Sequence, residues 1–125
     1  MLSSMLETKT KLLYGKLSYD LTGILFSVHN ELGSFAREKQ YADLIEKKLK
    51  DKSIQYQREC QVGDTGNTLD FIIDRSIILE LKSKPNLLRA DYEQIKRYLQ
   101  ICDLKLGILV NFRPKFLQPK RVLNK

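Results

Sequence analysis

Between residues 17 and 32 apolar side chains recur at three- and four-residue spacing through Leu21, Ile24, Leu25, Val28 and Leu32, which gathers them on one face of a helix. Gly33 is suited to end it. Residues 35–49 repeat the pattern through Tyr41, Leu44, Ile45 and Leu49, a second helix for which Ser34 is placed as a cap and Glu38 lies near the positive end of the dipole. Residues 54–62, IQYQRECQV, alternate as a strand with one face on a core. After the turn GDTGN, the β-branched runs TLDFIID and SIILELKS flank an Asp74–Arg75 corner and read as a hairpin. Gln94, Ile95, Tyr98 and Leu99 mark a third helix over residues 88–101, and the continuous apolar run LKLGILVNF marks a strand covered on both faces.

The order helix, helix, strand, strand, strand, helix, strand predicts an α/β fold. A helix between two strands makes them parallel, whereas the hairpin before it is antiparallel, so a small mixed β-sheet flanked by helices is expected. A chain of 125 residues suits a single domain, residues 1–125 with a core from about 18 to 112. No apolar run reaches the roughly 18 residues of a membrane span, and the first residues do not read as an export leader. Cys60 and Cys102 are far apart in sequence and belong to no Cys/His cluster, which speaks for reduced core thiols and a cytoplasmic setting.

The charge is unevenly placed. Residues 1–81 hold 11 Lys+Arg against 12 Asp+Glu, but residues 82–125 hold 11 against 3. Such a basic segment is the footprint of a polyphosphate partner. Its candidate phosphate contacts are Lys84, Arg89, Lys96, Arg97, Arg113 and Lys115, followed by Lys120 and Arg121.

Against that background the stretch ILELKSK, residues 78–84, stands out, because an apolar strand seldom carries two charges without a reason. On a strand Ile78, Glu80 and Lys82 share one face while Leu79 and Leu81 share the other. The antiparallel hairpin brings Asp70 beside them. Two adjacent carboxylates repel unless a cation neutralises them. Asp70 and Glu80, with the Leu81 backbone carbonyl and waters, form a donor set suited to Mg²⁺ or Mn²⁺. Lys82 is placed to orient a water or to stabilise charge growing on a phosphate, which is the chemistry of phosphodiester hydrolysis. Gln94 and Tyr98, four apart on one helix face, are within reach of the lysine or of a phosphate.

These residues resemble the PD-(D/E)XK nuclease superfamily, and more narrowly its small GxxExxY family, over about residues 21–112. Asp70 with Glu80-Leu81-Lys82 is similar to the nuclease core pattern. VHNELG at residues 28–33, followed by Glu38 and Tyr41, is similar to the opening motif of the GxxExxY family, and QIKRYL at residues 94–99 looks like the Q-x3-Y helix of several such nucleases. LGILVNF is similar to the last core strand. Two positions depart: Phe35 stands where the opening motif usually carries a second glycine, and Leu69 where the superfamily name has proline.

The resemblance implies a restriction-endonuclease-like core and a Mg²⁺-dependent nuclease, with Glu38 completing the acidic cluster. The expected function is metal-dependent hydrolysis of nucleic acid, DNA ahead of RNA, with a homodimer as one way to cut two strands. The rival readings are a nuclease-like module that binds nucleic acid without cutting it and a protein-interaction domain. His29, the sole histidine, has no serine or cysteine partner in pattern and reads as structural.

Overall fold

The computed structural model describes residues 2–124, with side chains from residue 14 onward; Met1 and Lys125, the expected domain bounds, lie outside the described residues. Along the chain run α1 (Leu2–Leu32), α2 (Glu38–Asp51), β1 (Tyr56–Gln61), β2 (Thr68–Ile73), β3 (Ile77–Lys82), α3 (Arg89–Cys102), β4 (Leu106–Asn111) and β5 (Lys120–Leu123). The strands form one sheet in the order β1-β2-β3-β4-β5, parallel between β3 and β4 and antiparallel elsewhere. α3 is the crossover joining the parallel pair. This is the mixed α/β architecture expected from the element order.

Each face of the sheet has its own core. Leu21, Ile24 and Leu25 of α1 and Tyr41 and Ile45 of α2 pack on Phe71, Leu79, Val110 and Phe112. On the other face Ile95, Tyr98 and Leu99 of α3 pack on Leu69, Ile78 and Leu109. β4 lies between the two, with all six residues buried. Fully burying one such aliphatic or aromatic side chain stabilises the fold by about 1.5–3 kcal/mol, so both helical layers are held to the sheet independently. No helix among the described residues is long and apolar enough to cross a membrane.

Three expectations are corrected. α1 begins at Leu2 rather than residue 17; the added residues contain no proline and are rich in good helix formers, which extend a helix without an apolar stripe to announce it. α2 begins at Glu38, with Arg37 as its N-cap, rather than at residue 35. Ser34 is not the cap, because its Oγ donates to the Pro114 carbonyl at 3.3 Å and meets His29 Nε2 at 3.4 Å. The third correction is β5, which pairs with β4 from Leu106↔Leu123 to Leu109↔Lys120. It is four residues long with only Val122 buried, too short for an alternation to register.

α3 approaches β4 at Gly107, where an added Cβ would stand 2.7 Å from Ile95 Cδ1 and 3.0 Å from its Cγ1. Gly107→Ala is therefore expected to lower stability by roughly 1–3 kcal/mol through overpacking. Urea unfolding of the two proteins checks this; an unchanged midpoint would show that Ile95 repacks freely.

Candidate active site at the fork of the sheet

The hairpin β2–β3 is closed by Asp74 and Arg75, both at positive φ (50° and 54°), with the Ser76 N–H donating to the Ile73 carbonyl at 2.9 Å. Its ladder runs from Ile73↔Ile77 to Phe71↔Leu79 and stops there. Beyond that point β2 continues against β1 and β3 continues against β4. The sheet forks at Asp70 and Glu80.

The same level interrupts β1. Glu59 is left out of a β1–β2 register that otherwise runs on from Arg58↔Phe71 to Cys60↔Leu69, and it adopts a left-handed φ of 55°. Side-chain alternation also breaks here: Phe71 and Ile73 belong to the core under α1 and α2, yet Leu69 belongs to the core under α3. A non-glycine residue in the left-handed region inside a strand costs of order 1–3 kcal/mol and persists only where its surroundings impose it. Sequence gave no sign of Glu59, because positive φ is a backbone property that a glutamate does not advertise.

Where the strands part, their amides lose ladder partners, and two carboxylates replace them. Glu80 Oε1 accepts the Asp70 N–H at 2.7 Å, and Asp70 Oδ2 accepts the Leu81 N–H at 2.7 Å. The pair is thus clasped reciprocally through backbone. No donor among the described residues engages Asp70 Oδ1 or Glu80 Oε2. Asp70 lines a cavity of about 250 Å³ with Glu38, Arg58 and Glu59, on the α2 side of the sheet. Glu80, only 5% exposed, follows Ile78 toward α3.

Burial is the main cause that drives the Glu80 carboxyl up to about 7, with the neighbouring Asp70 charge adding to it. Asp70 is also raised, again by burial first, against the pull of the Leu81 amide and Lys82. Glu38 at the start of α2 is raised by burial and then by Asp70, opposed by Lys82 and the Ser83 amide. Three acids therefore share one field without enough positive charge to settle them. A divalent cation fits this donor set, since each clasped carboxylate keeps one oxygen with no donor among the described residues. Among the described residues no three Asp, Glu, His or Cys side chains form a ready-made ligand group. An ion there takes its other positions from carbonyls, water or a substrate phosphate, as magnesium commonly does. Glu38 contributes charge to the site without converging on the other two.

Lys82 projects toward α3, where its Nζ donates to Gln94 Oε1 at 3.3 Å and lies 3.8 Å from Asp91 Oδ1. Asp91 is a residue that sequence reasoning missed. It is buried, takes Lys84 Nζ at 2.8 Å and the Leu88 N–H at 2.7 Å, and so caps α3 while holding both lysines. The signal was present as an acid three positions before Gln94 on the same helix face. Asn111, also missed, continues the β3–β4 ladder past its end by pairing with both backbone groups of Lys84 at 2.8 and 3.1 Å. Tyr98 is buried in the α3 core, and its hydroxyl is shifted up by burial and by the Glu80 charge.

Tyr41 braces the turn before Glu38, stacked on Phe112 at 4.1 Å, with its hydroxyl donating to the Gly33 carbonyl and accepting the Ala36 N–H. His29 is buried against the same turn through Ser34, and Asn30 is exposed. Several of the basic residues have partners within the fold. Lys84 is tied to Asp91, Arg89 pairs with Glu93 at 2.9 Å, Arg113 lies over Phe35 and donates to the Ser83 carbonyl, and Arg121 reaches Ser18 of α1. Lys96 lies beside Arg121 and β5, while Arg97 and Lys115 are exposed.

The raised Glu80 carboxyl has a consequence for stability. Its proton is held more tightly in the folded than in the unfolded chain, so the benefit is full below about pH 4.5 and is lost as pH rises through about 7. At 1.36 kcal/mol per unit the loss amounts to about 3 kcal/mol. Thermal unfolding in EDTA is expected to weaken over that window in the wild type and much less in Glu80→Gln. Parallel pH profiles for the two proteins would contradict the assignment.

The profile of the PD-(D/E)XK nuclease superfamily matches residues 15–122. Searches against curated proteins and against solved structures returned no match. The matched span takes in the forked hairpin, the α3 crossover, β4 and all of β5 but its last residue, and the five-stranded mixed sheet flanked by helices is consistent with a restriction-endonuclease-like core. Proteins of this kind are usually nucleases and typically use divalent metals, and the chain belongs to the PD-(D/E)XK nuclease superfamily.

Proposed function

We propose that this protein is a metal-dependent nuclease that hydrolyses phosphodiester bonds, with DNA favoured over RNA as substrate. The observation that carries the reading is the clasped pair of half-buried Asp70 and buried Glu80, each with one oxygen that meets no donor among the described residues, beside Lys82 of β3, which Gln94 of α3 holds. We also place the chain in the GxxExxY family on VHNELG, Glu38 and Tyr41; the bracing of the turn by Tyr41 supports that likeness.

In this reading Asp70, Glu80 and the Leu81 carbonyl would hold Mg²⁺ or Mn²⁺, with Glu38 adding negative charge. When bound, such an ion lowers the pKa of a water and polarises a phosphoryl oxygen. Glu80 must lose its proton to serve, and Lys82, cationic and fixed by Gln94 and Asp91, favours that loss. The same ammonium orients the attacking water or meets negative charge growing on the phosphate. Tyr98, buried on α3 with its hydroxyl within the field of Glu80 and Asp70, would help to position the substrate.

The test is cleavage of single- and double-stranded DNA and RNA in Mg²⁺ and in Mn²⁺. Asp70→Asn and Lys82→Ala are expected to lower the rate by about 10²-fold or more, with unfolding transitions that stay cooperative. Cleavage retained by both variants in a pure preparation would overturn the reading. Salt-sensitive binding with no cleavage on any substrate would support the non-cutting module instead.

A further inference from the structure

Two phenylalanines stand out of the surface at the end of the sheet where Lys82 lies. Phe35 is 83% exposed and Phe116 is 74% exposed. Neither contributes to a core. Phe35 sits in the turn between α1 and α2, which is fixed from beneath by the Tyr41 hydroxyl and from the side by Ser34 Oγ donating to the Pro114 carbonyl. Phe116 follows on the same loop as Pro114. One hydrogen bond therefore ties the two ring-bearing segments together.

Each ring has its own cation. The Arg113 guanidinium lies 5.2 Å from the Phe35 centroid, and Lys115 Nζ lies 5.5 Å from that of Phe116. Arg113 also donates to the carbonyl of Ser83, the residue after Lys82, at 3.3 Å. The shelf is thus one arginine away from the lysine of the site. From residue 104 to 125 the chain carries six Lys or Arg and no acid. A flat ring paired with a positive charge, repeated, matches a chain of flat bases linked by phosphates. The bases of a continuous duplex are stacked on one another and offer no face to a ring, whereas those of an unpaired strand do.

We propose that Phe35 and Phe116, with Arg113 and Lys115, form a stacking shelf for the bases of an unpaired nucleic-acid strand, so that single-stranded or frayed nucleic acid is the preferred ligand. The proposal rests on the nucleic-acid reading of the site above. It gives Phe35 a role that a turn residue does not otherwise need.

The experiment measures fluorescence anisotropy of a labelled oligonucleotide, single-stranded or annealed to its complement, in EDTA so that cutting does not enter. The full chain is compared with Phe35→Ala, Phe116→Ala, and the Leu and Trp replacements at each position. Single strand is expected to bind at least about tenfold tighter than duplex, each Ala to weaken it roughly tenfold to a hundredfold, and Trp but not Leu to restore it. Both rings are exposed, so unchanged thermal unfolding is expected and separates binding loss from misfolding. Equal affinity for the two forms, or Ala variants that bind as the wild type does, overturns the shelf. Leu restoring as well as Trp also overturns it, because an aliphatic side chain offers no flat face on which a base stacks. Single-strand binding lost in the Ala variants, with no cleavage in Mg²⁺ or Mn²⁺, upholds the shelf while the nuclease reading fails. Cleavage in Mg²⁺ with both Ala variants binding normally does the reverse.

Discussion

The reciprocal clasp between Asp70 and Glu80 is the interaction on which the site depends. A sheet that forks must strand backbone amides, and a buried amide without an acceptor costs about as much as a lost hydrogen bond. Here each acid supplies the missing acceptor for the other strand, at 2.7 Å in both directions. The arrangement satisfies the backbone but places two carboxylates in low dielectric, where burial lifts both and carries Glu80 to about 7. The fork is thus well formed as backbone and poorly compensated as charge. A cation corrects the second without disturbing the first.

The two cores divide the positioning work. The layer of α1 and α2 sets Glu38 and the turn before it, through Tyr41 stacked on Phe112 and bonded across the turn. The α3 layer sets Lys82, through Gln94 and Asp91, and rests on β4 at the close approach of Gly107. Because the fork opens between β2 and β3, groups from both faces of the sheet reach the same acids. Asp91 binds Lys82, Lys84 and the first turn of α3 together, so the lysine's position is coupled to where that helix begins.

Much of this was legible in sequence where the physics is periodic. The apolar stripes of α1, α2 and α3 and the run of β4 follow from what must be buried, and the shared face of Glu80 and Lys82 follows from strand geometry. What escaped was set by hydrogen bonds and backbone conformation. The break in alternation between Leu69 and Phe71, the left-handed Glu59 and the ladder extension by Asn111 leave no periodic trace. Ser34 looked like a cap, but Tyr41 holds its turn out of the helix. The basic residues were countable, yet partners such as Glu93 for Arg89 and Ser18 for Arg121 depend on a fold that the count does not contain.

The central claim is that the clasped acids of the fork form a cation site, and calorimetric titration of Mg²⁺ into the wild type and into Glu80→Gln tests it most directly. Glutamine keeps a carbonyl oxygen for the Asp70 N–H while removing the charge, so the clasp survives and only the donor chemistry changes. The account predicts saturable binding by the wild type and its loss in the variant, with both proteins equally folded. Equal binding by the two proteins, or no binding by the wild type even with nucleic acid present, would contradict it.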